Sequence, residues 1–170
     1  MTSAFKEWAI IVDALGSGRQ NIILRKGGIT EDGGEFELKT KKFLLFPTQF
    51  HQSNELIKEA WRPLLNGTKY QPNPNSVRIE YFAEVADSRT ITEWETLMKL
   101  HNFHAWTEDV VKERFNRWEK NVFMMIVQVY KLLEPKTIEL RPEYSGCKSW
   151  IDIEEEIELL GKPVLNPGIH

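Results

Sequence analysis

Apolar positions along this chain follow two rhythms. Val77, Ile79, Tyr81, Ala83 and Val85 alternate with mostly polar neighbours, the period-two pattern of a half-buried strand. Leu56, Ile57, Ala60, Trp61, Leu64 and Leu65 recur at helical spacing, with Ser53 placed to cap the helix. Pro63 would remove the hydrogen bond to the carbonyl of Glu59, so this helix is expected to bend or end near Arg62. Thr92 and Glu95 have capping-box spacing and open a second helix carrying Trp94, Leu97, Met98 and His101 on one face. Thr107 caps a third, in which Glu108 and Asp109 suit the positive end of the helix dipole. The acidic stretch from Ile153 to Leu160 reads as a last helix, stopped by Gly161.

The remaining apolar runs are short and read as strands. Trp8 to Leu15 is rich in Ile and Val, Gly16-Ser17-Gly18 supplies a turn, and Ile22 to Lys26 returns. Gly27-Gly28 breaks that strand. Glu35 to Lys39 reads as a short strand, and Phe43 to Phe46 as a buried one ended by Pro47. Asn66 to Ser76 is a loop. Val122 to Leu132 is a strand covered on both faces over its first half, with Ile138 to Leu140 paired to it. Strands in hairpins, with helices between and after them, predict an α+β fold. Its sheet is mostly antiparallel, with about four flanking helices, in a single domain over residues 1–170.

Composition narrows the class. With 170 residues, 41% hydrophobic and 28% charged, the chain can build one real core. The formal net charge of −3 provides no global positive field toward nucleic acid or anionic membrane, and leaves room for a local basic patch. The lone Cys147 cannot form an internal disulfide, which points to a reducing, cytoplasmic compartment. MTSAFKEWAII lacks the basic and long apolar regions of a signal peptide, and the longest apolar run, Val122 to Val127, is far too short to span a membrane.

Candidate chemistry centres on Arg114. It shares the apolar stripe of the third helix with Val110 and Trp118, so its guanidinium needs an acceptor. That acceptor is either a sheet carboxylate such as Glu80 or Glu84, or a ligand phosphate or carboxylate held bidentately. Lys26 precedes two glycines in a turn able to aim an ammonium and backbone N–H groups at an anion. His51 and Gln52 sit in a polar loop before a helix start, where anions bind. His101 and His104 are three apart, but without HExxH or paired CxxC no structural metal and no cofactor is expected. His104 reads either as pocket lining or as part of the loop leading to Thr107. Cys147, beside Lys148 in a Tyr144-to-Trp150 turn, is either a thiol site or a partly buried structural thiol.

The segments ALGSGRQNIILRKGGI, KKFLLFPTQFHQ, HAWT followed by Arg114, and EYSGCKSWIDI together resemble an uncharacterised bacterial family, a domain of unknown function, from about Trp8 to about Ile153. The resemblance implies a bacterial, single-domain, cytoplasmic protein. Two enzyme templates also touch the sequence. Glu37-Leu38-Lys39 has the E-x-K form of metal-dependent nucleases, with Asp13 or Asp32 as partner, and the element order is similar to that of Nudix-type pyrophosphohydrolases, with only Glu55 and Glu59 for their glutamate box. The leading expectation is a binding domain for an anionic ligand, a nucleotide or nucleic-acid segment, lined by Lys26, His51, Gln52, His104 and Arg114. A phosphoester hydrolase, and an interaction module using aromatics such as Phe50 or Trp150, are the alternatives.

Overall fold

The computed structural model describes residues 1–26, 38–49, 54–64 and 69–165. Seven strands form one mostly antiparallel sheet: β1 (Thr2–Trp8), β2 (Ile22–Arg25), β3 (Lys42–Thr48), β4 (Ser76–Ile91), β5 (Val122–Glu139), β6 (Trp150–Ile153) and β7 (Gly161–Pro163). Their order is β2-β5-β4-β3-β1-β6. β1 and β3 are parallel, with Trp8 opposite Thr48. The far edge of β5 is shared by two short strands, β2 on Phe123–Ile126 and β7 on Tyr130–Leu132. Among the described residues there are three α-helices, α1 (Ala9–Gly16), α2 (Trp94–Met98) and α3 (Glu108–Asn116). The fold is therefore mixed α and β and dominated by its sheet, with fewer helices than the four expected.

Alternation along the strands builds a core on each face. Phe5, Phe43, Leu45, Ala83, Val85, Val127 and Val129 face the helices, where α1 and α3 add Ile10, Ile11, Val111 and Phe115. Ala4, Leu44, Phe46, Phe82, Ile79, Ile151 and Ile153 face the other way and are covered by Tyr144 and Ile157. β3 is buried on both faces, as the run Phe43–Phe46 implies, and it continues through Pro47 to Thr48. The proline is tolerated because pairing with β4 covers only Lys42–Leu44, so no partner on that side needs its missing N–H.

Several expectations are corrected. Trp8–Leu15 is not a strand: β1 ends at Trp8, and α1 follows with Ala9 to Leu15 all buried. A helix wrapped on every side carries no polar stripe, so its short apolar run looks like a strand. Gly16-Ser17-Gly18 ends this helix instead of turning a hairpin, and Gly18 takes a φ of +80°. The region expected as the first helix forms two 3-10 turns, Asn54–Leu56 and Glu59–Leu64, interrupted where Ile57 bridges Trp106. Pro63 lies within the second turn. α2 is capped at Glu93 without a side-chain hydrogen bond, so the Thr92–Glu95 box does not form. Thr107 does cap α3, its hydroxyl accepting from the Val110 N–H at 3.4 Å. Ile138 belongs to β5 itself and pairs with Val77.

The expected last helix is instead β6 followed by extended chain leading to β7, with Ile157 buried among the second core. Gly161 begins that strand. A Cβ there would come within 2.1 Å of the Lys131 carbonyl oxygen, so the close approach of β7 to β5 requires glycine. Among the described residues no helix is long and apolar enough to cross a membrane. The expected strand over Glu35–Lys39 lies mostly outside the described residues.

Candidate anion-binding cleft

A cleft of about 840 Å³ opens where the ends of β1, β2 and β3 meet α3 and the Gly146–Ser149 loop. β1 contributes Lys6, Glu7 and Trp8, and the end of β2 contributes Arg25 and Lys26. α3 and the turn beyond it add Asp109, Glu113, Arg114, Arg117 and Trp118. Lys148 and Cys147 stand on the loop side. Six cationic residues thus face four acidic ones, Glu7, Glu55, Asp109 and Glu113, in a chain whose net charge is negative.

Arg114 lies at the inner wall. It is 8% exposed, and its Nη1 donates to the Leu24 carbonyl oxygen at 2.9 Å. Among the described residues this is its one hydrogen bond, although a guanidinium has five donors. The carbon of the guanidinium lies 5.2 Å from the ring centroid of Trp8 and 5.0 Å from that of Trp106. Burial pulls its pKa down to about 10, with Glu7 opposing the shift, so it stays charged at neutral pH. Neither carboxylate expected from the sequence holds it: Glu80 pairs with Arg78 at 2.7 Å, and Glu84 is exposed.

Glu7 is 1% exposed. Its Oε1 accepts from the Trp8 N–H at 2.9 Å, and its Oε2 lies 3.7 Å from Arg25 Nη2. Arg25 also donates to the Lys6 carbonyl oxygen and sits 4.5 Å over the Phe5 ring. Lys6 holds the loop side in place, its ammonium donating to the carbonyls of Tyr144 at 2.7 Å and Gly146 at 2.8 Å. Burial lowers the Lys6 pKa, and Lys148 and Arg25 add to that.

Of the residues expected from the sequence, Lys26 and Arg114 are brought together in this cleft. Lys26 is buried, and its ammonium donates to the carbonyls of Phe115, Glu119 and Asn121 and to the Asn121 side chain. It gathers the turn after α3. His104 is fully buried behind Trp106, their ring centroids 5.4 Å apart, and is not part of the cleft wall. Burial, helped by Lys58, His101 and Arg114, lowers its pKa to about 3 and keeps the ring neutral. His51, Gln52, Phe50, Asp32 and Glu37 lie outside the described residues.

Trp150 is buried against Phe5 and Phe43, so it offers no exposed aromatic surface. Cys147 is exposed on the cleft, not partly buried. Glu55 and Glu59 sit on 3-10 turns and so form no helical glutamate box, while Asp13 is taken up by Tyr70 and Lys69. Among the described residues no three His, Cys, Asp or Glu side chains converge to hold a metal ion.

Glu7 and Trp8 went unnoticed because β1 is not legible as a strand, and Arg25 because it reads as an ordinary position on the returning strand from Ile22 to Lys26. Trp118 was expected on the apolar stripe of the third helix. α3 instead ends at Asn116, and Trp118 lies beyond it with a φ of +56° and 55% exposure.

The fold is similar to solved structures of ASCH from Zymomonas mobilis. A mutant ZmASCH protein aligns with a TM-score of 0.53 at 11% identity, covering 90% of this chain and 90% of that one. A second mutant ZmASCH protein gives a TM-score of 0.47 at 12% identity, covering 83% of this chain and 89% of that one. No curated protein matches the chain. Residues 4–168 match the family described as domain of unknown function (DUF1802), and the chain belongs to that family.

Proposed function

We propose that this domain binds an anionic ligand, a nucleotide or a segment of nucleic acid, in the cleft around Arg114. The observation that carries this reading is the guanidinium of Arg114, buried in a cleft wall between two tryptophans with one hydrogen bond from five donors. Such a group is expensive to bury for stability alone and is shaped to grip a phosphate. Lys26, Arg25 and Lys148 add positive charge around it. Glu113 is already bonded to Arg117 through both carboxylate oxygens, which reduces its repulsion of an incoming anion. A cavity of about 840 Å³ accommodates a nucleotide-sized unit.

The test is fluorescence anisotropy with a labelled single-stranded oligonucleotide at low and moderate salt. Binding should weaken as salt rises, and Lys148→Glu should weaken it about tenfold without altering the fold. Failure to bind the strand or a free nucleotide at low salt, or binding indifferent to Lys148→Glu, overturns this reading.

A further inference from the structure

The turn after α3 presents Trp118 in a conformation that few tryptophans adopt. Trp118 is the one non-glycine residue with positive φ among the described residues, at +56°. Bulky side chains clash with their own backbone there, and glycine or asparagine is the ordinary occupant just past a helix end. Burial does not explain the choice, because the residue is 55% exposed.

Neighbouring residues hold the turn on both sides of Trp118. The Lys26 ammonium gathers the carbonyls of Phe115, Glu119 and Asn121 on either side of Trp118. The Asn121 N–H donates to Phe115 O at 3.2 Å and to Glu119 O at 2.9 Å. Arg117 is pinned to Glu113 by bonds of 2.8 and 2.6 Å, and its guanidinium carbon lies 5.8 Å from the Trp118 ring centroid. A strained, solvent-facing aromatic on a turn whose backbone is held by these bonds, lining a charged cleft, has the marks of a group kept for contact with a ligand.

We propose that Trp118 is a stacking platform for an unpaired nucleobase. The cations further inside the cleft take the adjoining phosphate. This rests on the anion-binding reading above and sharpens it to single strands. A base within a duplex has both faces covered by its neighbours and cannot lie on an indole ring, whereas an unpaired base can. Base identity matters little to such a contact, since every base has a flat π-face.

The experiment compares four labelled ligands of equal length: a single-stranded oligonucleotide, the same strand with abasic sites, a duplex, and an inorganic polyphosphate. Each is titrated against the wild-type chain and the Trp118→Ala, Trp118→Phe and Trp118→Gly variants. The wild-type chain should prefer the base-bearing strand over the abasic strand and the duplex by about tenfold or more. Trp118→Ala and Trp118→Gly should bind base-bearing and abasic strands alike, at the wild-type affinity for the abasic strand. Trp118→Phe should recover most of the preference. Equal wild-type binding of base-bearing and abasic strands, or a preference surviving in Trp118→Ala, overturns the platform and leaves the anion-binding reading standing. Loss of abasic-strand and polyphosphate binding in Trp118→Gly also overturns it, because Trp118 would then act on the phosphate site. No binding of any ligand removes both readings together.

Discussion

The guanidinium of Arg114 is held between the rings of Trp8 and Trp106, 5.2 Å from one centroid and 5.0 Å from the other. One tryptophan ends β1 and the other precedes α3, so the arginine ties the sheet to the helix layer across the cleft. Lysine at this position keeps the charge but loses the planar guanidinium that approaches both rings. Arg114→Lys should therefore cost about 1–3 kcal/mol, from the bond to Leu24 and the two ring contacts. It should also weaken anion binding beyond what the unfolded fraction explains. Urea denaturation paired with oligonucleotide titration checks both, and unchanged binding by the folded variant would assign Arg114 to the fold alone.

Trp118→Gly is expected to raise stability while lowering affinity. Glycine adopts the φ of +56° without the backbone clash, a relief of about 1 kcal/mol. The exposed ring forfeits little packing in exchange. A denaturation midpoint that falls would show that the indole contributes more to the fold than its exposure indicates.

Phe115 sits on the buried face of α3, its ring 5.5 Å from Trp94 in an edge-to-face arrangement. Phe115→Ala should cost about 3–5 kcal/mol, the combined loss of transfer energy and the cavity left behind. An unchanged midpoint in urea would contradict its place in the core.

Asp13 is a buried carboxylate on the fully covered helix α1. Its Oδ1 accepts from the Tyr70 hydroxyl at 2.5 Å and from Lys69 Nζ at 2.7 Å. Burial, with Asp13 alongside, pushes the Tyr70 phenol far above its ordinary pKa, so it remains a donor at any working pH. Tyr70→Phe should destabilise by about 1–3 kcal/mol, because the carboxylate loses one of its two donors where water does not readily replace it. Thermal melts of the two proteins give the comparison.

His104 makes stability depend on pH. Its native pKa near 3 lies below the ordinary 6.5, so as pH falls the unfolded chain takes up the proton first. Its contribution is complete above about pH 6.5 and is lost on acidification toward pH 3. Between pH 7 and pH 5 the loss from this group is about 2 kcal/mol. Urea titrations at those two pH values should show the drop in the wild-type chain, and a difference smaller by about that amount in His104→Gln. Equal pH dependence in both proteins would show that the ring is not held neutral.

Where the side-chain pattern reports a one-sided environment, the sequence alone was sufficient. β4 exposes one face along part of its length, and its alternation from Val77 to Val85 identifies it directly. α3 has a polar face and a threonine cap, and both are visible in the residues. The mostly antiparallel sheet and the place of Arg114 on the inward face of α3 followed from the same kind of signal, while the family followed from the resemblance of several separated segments. Only the tertiary structure decided the elements whose surroundings are supplied by distant chain. α1 is covered on every side by β1, β3, β5 and the Glu59–Leu64 turn, so no polar stripe marks its period. The acidic stretch after Ile153 became non-helical chain because the Thr2 hydroxyl donates to the Glu155 carbonyl and accepts from the Ile157 N–H, and Ile157 is buried in the second core. The cleft itself is assembled from five segments far apart in sequence. The turn that carries Trp118 is gathered by the ammonium of Lys26, and burial with the charge of Lys58 nearby keeps His104 neutral. Periodicity reports which face of a segment meets apolar surroundings, while the partner that completes a charge or bends a turn is set by contacts no local pattern encodes.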